Sequence, residues 1–396
     1  MKIPLILTDE DRQKILSECQ DILTGVWTSA TLEDIDITMC PGGIANRIYI
    51  VKIKSLELLK KIKNEPKTVI VRLFGSILFK VNIPKLLGSP GELLVFTLIG
   101  ERGLGPKLLG NFEGGRIEEF IENIRYRPEE LLGFEVDEMI AKKMARIHSL
   151  ELPISKKLVF LDTCFDIWVK GRFLQEDVET DIVYTGEELK MADEIDEFDY
   201  LGTIDWLKST AKKIKARKTF CHNDLHLQNV LFKANSNNTS NEDGTTLIDM
   251  ELSTYNYRGY DFSYYFNFRF YHPAHGKKNW DQVKYPDEEH KRKFFQIYLN
   301  ALEELDPNFD PSIDNVEQLL VEEKFMSMYT HLFIFSWRAL ERKRPSDVNW
   351  SSLPEGPPGG EHSEFYTGLD YSYSRYVRFQ KDKKEFLEKY GHLLDA

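Results

Sequence analysis

Phe220-Cys221-His222-Asn223-Asp224-Leu225-His226-Leu227-Gln228-Asn229, echoed at Leu247-Ile248-Asp249-Met250-Glu251, is the stretch on which the reading of this chain turns. Asp224 and Asn229 are separated by four residues, and Asp249 ends an apolar run twenty positions further on. Phosphoryl transfer demands such a set. A carboxylate must accept the proton of the attacking hydroxyl, while an amide and a second carboxylate hold the metal that neutralises the phosphates. Magnesium prefers oxygen ligands and takes few of them from protein, so Asn229 and Asp249 suffice, with Glu251 as a further candidate.

His-Asn-Asp alone is an ordinary turn sequence. The segment after it changes the reading. Val230-Leu231-Phe232 and Thr246-Leu247-Ile248 are short apolar strands around the polar stretch 233–246, and such a hairpin brings Asn229 and Asp249 side by side. Loop, hairpin and metal aspartate in that order predict a small-molecule kinase.

The same residues carry a family resemblance. Phe220 to Asp224, Ile248 to Glu251 and Tyr255-Asn256-Tyr257-Arg258-Gly259-Tyr260-Asp261 closely resemble the choline/ethanolamine kinase family. Glu101-Arg102-Gly103-Leu104-Gly105-Pro106-Lys107-Leu108 and Gly115 to Ile121 resemble its choline-kinase branch, and the likeness runs from about Gly42 to about Phe379. It implies a two-lobed α+β, protein-kinase-like fold, with a small antiparallel β-sheet lobe over 1–120 and a large helical lobe over 121–396. It also implies ATP and Mg²⁺ as cofactors. The product would be phosphocholine, in the first step of phosphatidylcholine synthesis by the CDP-choline route.

Composition fits that expectation. The 396 residues are 42% hydrophobic and 29% charged, enough for two cores in a globular protein. A net charge of −12 argues against a nucleic-acid partner held through phosphates. Residues 1–20 have no signal-peptide core and no 18-residue apolar run occurs, so a cytoplasmic protein without stable membrane insertion is expected. Cys19, Cys40, Cys164 and Cys221 are scattered and read as buried free thiols of a reducing compartment.

On the nucleotide side, strands at Ile35–Met39 and Arg47–Ile53 flank a paired-glycine turn. Gly42, Gly43, Ile44, Ala45 and Asn46 are there to aim backbone amides at phosphate. Arg72, on the strand Thr68–Phe74, stands where protein kinases carry a phosphate-binding lysine. A buried arginine needs a carboxylate, and Glu92, on a helix from Ser89 to Gly100, is the expected partner. By resemblance, Glu119, Phe120 and Ile121 form the hinge that receives adenine; His226, which stands in the loop where the family usually has glutamine, is a further candidate for the nucleotide site. Asp261 is expected to tie down the catalytic loop, Arg258 and His148 to serve structure, and the acidic run 176–199 to be a solvated surface or mobile loop.

The acceptor side departs from the family. A quaternary ammonium is held by aromatic faces. Trp337, Tyr366 and Tyr371 fall where the family has pocket aromatics. Leu252 replaces a tyrosine, Ile334 a tryptophan, and Phe268-Arg269 a Glu-Trp pair, which on paper removes an acid from the pocket and adds a cation. Choline or ethanolamine as acceptor, an aminoglycoside-type phosphotransferase and a catalytically weak regulatory paralogue stay open. A protein kinase is disfavoured because no Ala-Pro-Glu follows Asp249. The family also makes a homodimer an option.

Overall fold

The computed structural model describes residues 7–40, 46–74, 87–124, 133–165, 185–233, 244–269, 285–336 and 369–395. The chain divides into two compact units. The first is drawn from Met1–Ile83 and Phe96–Glu122, the second from Pro84–Val95, Asn123–Arg344 and His362–Ala396.

The first unit is a twisted antiparallel sheet with one helix on its face. Helix α1 (Asp9–Ile22) starts at Thr8, whose hydroxyl accepts from Asp11 N, and carries three acids in its first turn, where the helix dipole favours them. Strands β1 (Ile35–Met39), β2 (Asn46–Ile53), β3 (Thr68–Phe74), β4 (Leu108–Phe112) and β5 (Gly115–Glu119) run in the order β1-β2-β3-β5-β4. Alternation along β2 and β3 sends Val51, Val69 and Val71 into one core with Ile15 and Cys19 of α1 and Ile117 of β5. At Gly110 a side chain would collide with Ile22 of α1, so glycine permits the close crossing of helix and strand.

The second unit is mostly helical. Two short sheets sit within it: β6 (Asn123–Ile124) pairs with β8 (Val230–Lys233), which pairs with β9 (Thr245–Leu247), while β7 (Lys218–Cys221) pairs with β10 (Thr254–Tyr257). Between the units' sequences lies α2 (Gly88–Glu101), which both share. The principal helices that follow are α3 (Phe134–His148), α4 (Gly186–Asp196), α5 (Tyr200–Lys213), α6 (Arg258–Arg269), α7 (Glu288–Leu305), α8 (Val316–Ser336) and α9 (Leu369–Tyr390). Helices α4, α5, α6, α8 and α9 share an aromatic core, with Tyr200, Tyr260, Phe325, Tyr329, Phe335 and Phe379 among its buried members.

Helix α6 crosses α8 at Gly259, where an added Cβ would lie 2.7 Å from Glu322 O. Beside it, Arg258 is fully buried. Its Nε and Nη2 donate to the two oxygens of Glu322, both at 2.9 Å, and Nη1 donates to Asp314. A buried guanidinium met by two carboxylates ties the start of α6 to α8, the structural duty read from the sequence.

Two expectations change. Residues 186–196 of the acidic run fold as α4, because Ala192 and Ile195 recur on one face and are buried. Cys40 is only half-buried, whereas Cys19 and Cys221 are buried free thiols, pushed up by burial, Cys19 to about 12.

Candidate functional site

The catalytic-loop stretch leaves β7 at Cys221 and turns immediately. Asn223 takes a left-handed backbone, with φ of 67°. It holds that turn through its side chain, whose Nδ2 donates to Leu252 O at 2.8 Å and whose Oδ1 accepts from Asn256 Nδ2 at 2.7 Å. The pairing of β7 with β10 brings these partners alongside.

Asp261, on α6, fastens the same turn. Its Oδ2 accepts from His222 N and its Oδ1 from Asn223 N, both at 2.8 Å. His148 lies 3.2 Å from Oδ2 through Nε2 and 3.0 Å from Tyr298 Oη through Nδ1. Burial holds the His148 imidazole below its usual pKa, so it is neutral, with Nε2–H donating to Asp261 and Nδ1 accepting from the tyrosine. Ligand-type atoms of His148, Cys221 and Asp261 lie within 4.8 Å of one another. Asp261 is already engaged by two amides and an imidazole, and the cluster acts as a fastening.

His222 fixes the next turn. Asp224 N donates to its Nδ1 at 3.3 Å, so the proton sits on Nε2, which donates to Ile248 O at 3.0 Å. One imidazole thus spans the loop and the segment that carries Asp249.

Asp224 then projects with its side chain about a quarter exposed, 23%. Asn229 Nδ2 lies 2.9 Å from its backbone O and 3.1 Å from its Oδ2, and Tyr264 Oη donates to Oδ1 at 2.6 Å. Burial pushes the Asp224 carboxyl up to about 6. The tyrosine works against that rise, and the charge of Asp249 adds to it. Burial brings His226 down to about 4, so it is neutral beside Asp224 and Asn229.

The hairpin forms as the apolar strands require. Val230 faces Leu247 in register and Ile248 N donates to Asn229 O at 3.0 Å, which sets Asn229 beside the segment leading to Asp249. Asp249 is half-buried with φ of 64°, a left-handed backbone uncommon outside glycine, asparagine and aspartate. Because Asn229 turns its nitrogen to Asp224, its Oδ1 faces away. That oxygen, the Asp249 carboxylate and the half-buried Glu251 are all hard oxygen donors of the kind magnesium takes.

Arg72, in the other unit, is buried, and its Nε donates to Glu118 Oε1 at 2.8 Å. Arg116, directly opposite Arg72 across β3 and β5, donates to the same oxygen at 2.7 Å. Burial raises Glu118, but the two guanidiniums outweigh it and hold the carboxyl below its usual range. Sequence reasoning named Glu92, which is half-buried on α2, as a carboxylate for Arg72, and did not name Glu118, which reads as one more residue of an alternating strand. Asn46 is buried at the start of β2, and Glu119, Phe120 and Ile121 are half-buried at and after the end of β5.

Gly42, Gly43, Ile44, Ala45, Trp337 and Tyr366 lie outside the described residues. Of the expected acceptor wall, Tyr371 is described. It is buried, its ring lies 4.9 Å from the Arg375 guanidinium, and its hydroxyl accepts from Arg375 Nη2 at 3.2 Å. The same guanidinium sits 5.4 Å from the Phe268 ring. Leu252 and Ile334 pack in or against the core.

Arg269 does not add a cation to this pocket. One residue along α6 from Phe268, it turns to a different side and donates to Asp137 Oδ1 at 2.9 Å, with both side chains fully buried. From the sequence Tyr264 counts only as the start of an aromatic run, 264–271, that could serve an acceptor pocket or the core; its link to Asp224 shows only in its hydroxyl.

A fastened loop carrying an aspartate and an asparagine, paired by a hairpin to a second aspartate, is the arrangement of a phosphotransferase with an alcohol acceptor. Comparison with known proteins agrees. The family model described as choline/ethanolamine kinase matches residues 37–381. Choline kinase A2 of Caenorhabditis elegans is 32% identical over 269 residues, 63% of this chain and 60% of that protein. The human choline/ethanolamine kinase is 28% identical over 343 residues, 85% of this chain and 81% of that one. The crystal structure of a choline kinase from Cryptosporidium parvum superposes with a TM-score of 0.67 at 20% identity, covering 96% of this chain and 97% of that one. This chain belongs to the choline/ethanolamine kinase family, has the family's two-lobed kinase-like α+β fold, and is an ATP-using kinase of amino alcohols.

Proposed function

We propose that the protein transfers the γ-phosphoryl group of ATP to the hydroxyl of choline, giving phosphocholine for phospholipid synthesis, with Mg²⁺ as the metal. The observation that carries the reading is the Asp224 carboxylate, gripped on both oxygens and pushed up to about 6, at the base of an aromatic helix face. Asp224 orients and deprotonates the hydroxyl. Asn229 and Asp249, with Glu251 beside them, hold the metal, which neutralises charge on the phosphates when bound. Arg72, braced by Glu118, serves the nucleotide phosphates together with residues 42–46, and Glu119 to Ile121 receive the adenine. Among the described residues no helix is long and apolar enough to cross a membrane, which accords with work in the cytoplasm.

Ethanolamine is the second reading, and one observation favours it. The Arg375 guanidinium already occupies the rings of Phe268 and Tyr371, the faces on which a trimethylammonium, having no hydrogen to donate, depends. A primary ammonium can instead donate hydrogen bonds to carboxylates. A panel of amino alcohols, followed by ATP consumption and ³¹P NMR of the product, decides between them. Turnover of ethanolamine alone would overturn choline, and turnover of neither would overturn both.

A further inference from the structure

Tyr260, Tyr264 and Phe268 recur four residues apart on α6 and form one stripe of rings. Tyr260 and Tyr264 have ring centroids 5.8 Å apart at 30°, and Tyr264 and Phe268 are 4.4 Å apart at 32°. Tyr264 is thus held between two rings and is only 8% exposed. The side chain's single polar atom is turned to the catalytic loop. It donates to Asp224 Oδ1 at 2.6 Å, while Asn229 supplies a donor to Oδ2 at 3.1 Å.

Each carboxylate oxygen has two lone pairs. Donors from two different elements, one on each oxygen, fix rotation about the bond that carries the carboxylate and leave a lone pair for a third group. We propose that Tyr264 is a positioning residue for Asp224, holding the carboxylate in the orientation from which it accepts the acceptor's hydroxyl proton. The inference rests on Asp224 as the base. In the step itself the proton passes from the acceptor oxygen to Asp224. The new O–P bond forms as the bond from the γ-phosphorus to the bridging oxygen of ADP breaks, and Tyr264 keeps its proton throughout. What the tyrosine contributes is alignment, since a small misplacement of a reacting group is costly in rate.

Tyr264→Phe in the full chain keeps the ring between its neighbours and removes only the hydroxyl. The expected result is a kcat lower by about 10- to 150-fold, the scale of one hydrogen bond to a charged group. KM for ATP and for the amino alcohol should stay within about twofold, because ground-state binding is untouched. A packing role alone would leave kcat unchanged. An increase would mean that the phenol blocks the place of the acceptor hydroxyl. A fall in kcat accompanied by a lower melting temperature and shifted KM values would mean general damage. Each of these three results overturns the proposal. A crystal structure of Tyr264→Phe gives a readout independent of any acceptor. The Asp224 carboxylate is expected to rotate or to adopt more than one orientation, and an unchanged orientation overturns the proposal even if no amino alcohol is ever turned over. Conversely, a reoriented Asp224 in a protein inactive on every amino alcohol would keep the positioning role and discard the functional reading.

Discussion

Asn229 grips Asp224 twice, with one amide nitrogen 2.9 Å from the backbone oxygen and 3.1 Å from the carboxylate. The same contact turns the asparagine's oxygen away from Asp224, so one side chain steadies the candidate base and offers a ligand to the candidate metal site. The loop therefore links two functions in a single amide, and the substitutions below separate them.

Asp224→Asn is expected to lower kcat by about 10²- to 10⁴-fold, the usual contribution of a positioned base. Folding should not suffer. The carboxyl is raised in the folded protein, so its contribution to stability is present below the unfolded pKa and lost as pH rises through about 6. Removing that carboxylate should stabilise the protein at pH 8, by up to about 3 kcal/mol, and do nothing at pH 3. Thermal melts of the two proteins at both pH values check the sign; a clear loss of stability at pH 8 would contradict it.

The same carboxyl sets a pH limb. Asp224 is a base only when ionised, so kcat/KM for the amino alcohol should fall as pH drops through about 6. A profile from pH 5 to 8 under constant ionic strength measures this. A rate that stays level down to pH 5 would mean that another group accepts the proton.

Asp249→Asn keeps the side chain's shape and removes its charge. Nucleotide affinity measured by calorimetry should then respond far less to Mg²⁺, by about tenfold or more, because the anionic ligand is gone. An unaltered magnesium dependence would take Asp249 out of the metal site.

Gly259→Ala tests the fold away from the chemistry. The new Cβ would press on Glu322 O at 2.7 Å, where α6 crosses α8. The expected cost is about 1–3 kcal/mol in chemical denaturation, with kcat retained in the folded fraction. Full stability would show that the two helices can part without penalty.

Legibility differed by element. The placement of Asp224, Asn229 and Asp249 on one loop and hairpin could be read in advance because loop sequence is local and a hairpin fixes which residues meet. Strands β1, β2, β3, β8 and β9 followed from short apolar runs for the same reason. Tyr264 could not be read. Its link to Asp224 depends on the β7–β10 pairing that lays α6 against the loop, and β7 and β10 carry no distinctive pattern. Phe268 and Arg269 show the opposite error: adjacent in sequence, they point to different sides of one helix, and only packing against Asp137 reveals where the charge goes. Glu118 was hidden by register, because the pairing of β3 with β5 sets it two residues along the strand from Arg116, which lies opposite Arg72.

The left-handed backbone at Asp249 has an evolutionary consequence. Asparagine and glycine are the replacements that such a conformation tolerates best, and both erase the carboxylate. If Asp249 holds the metal as proposed, a duplicated gene could therefore silence that site in one mutational step while its product kept a folded body. Sequence surveys of relatives should inspect this position first when sorting working kinases from retired copies.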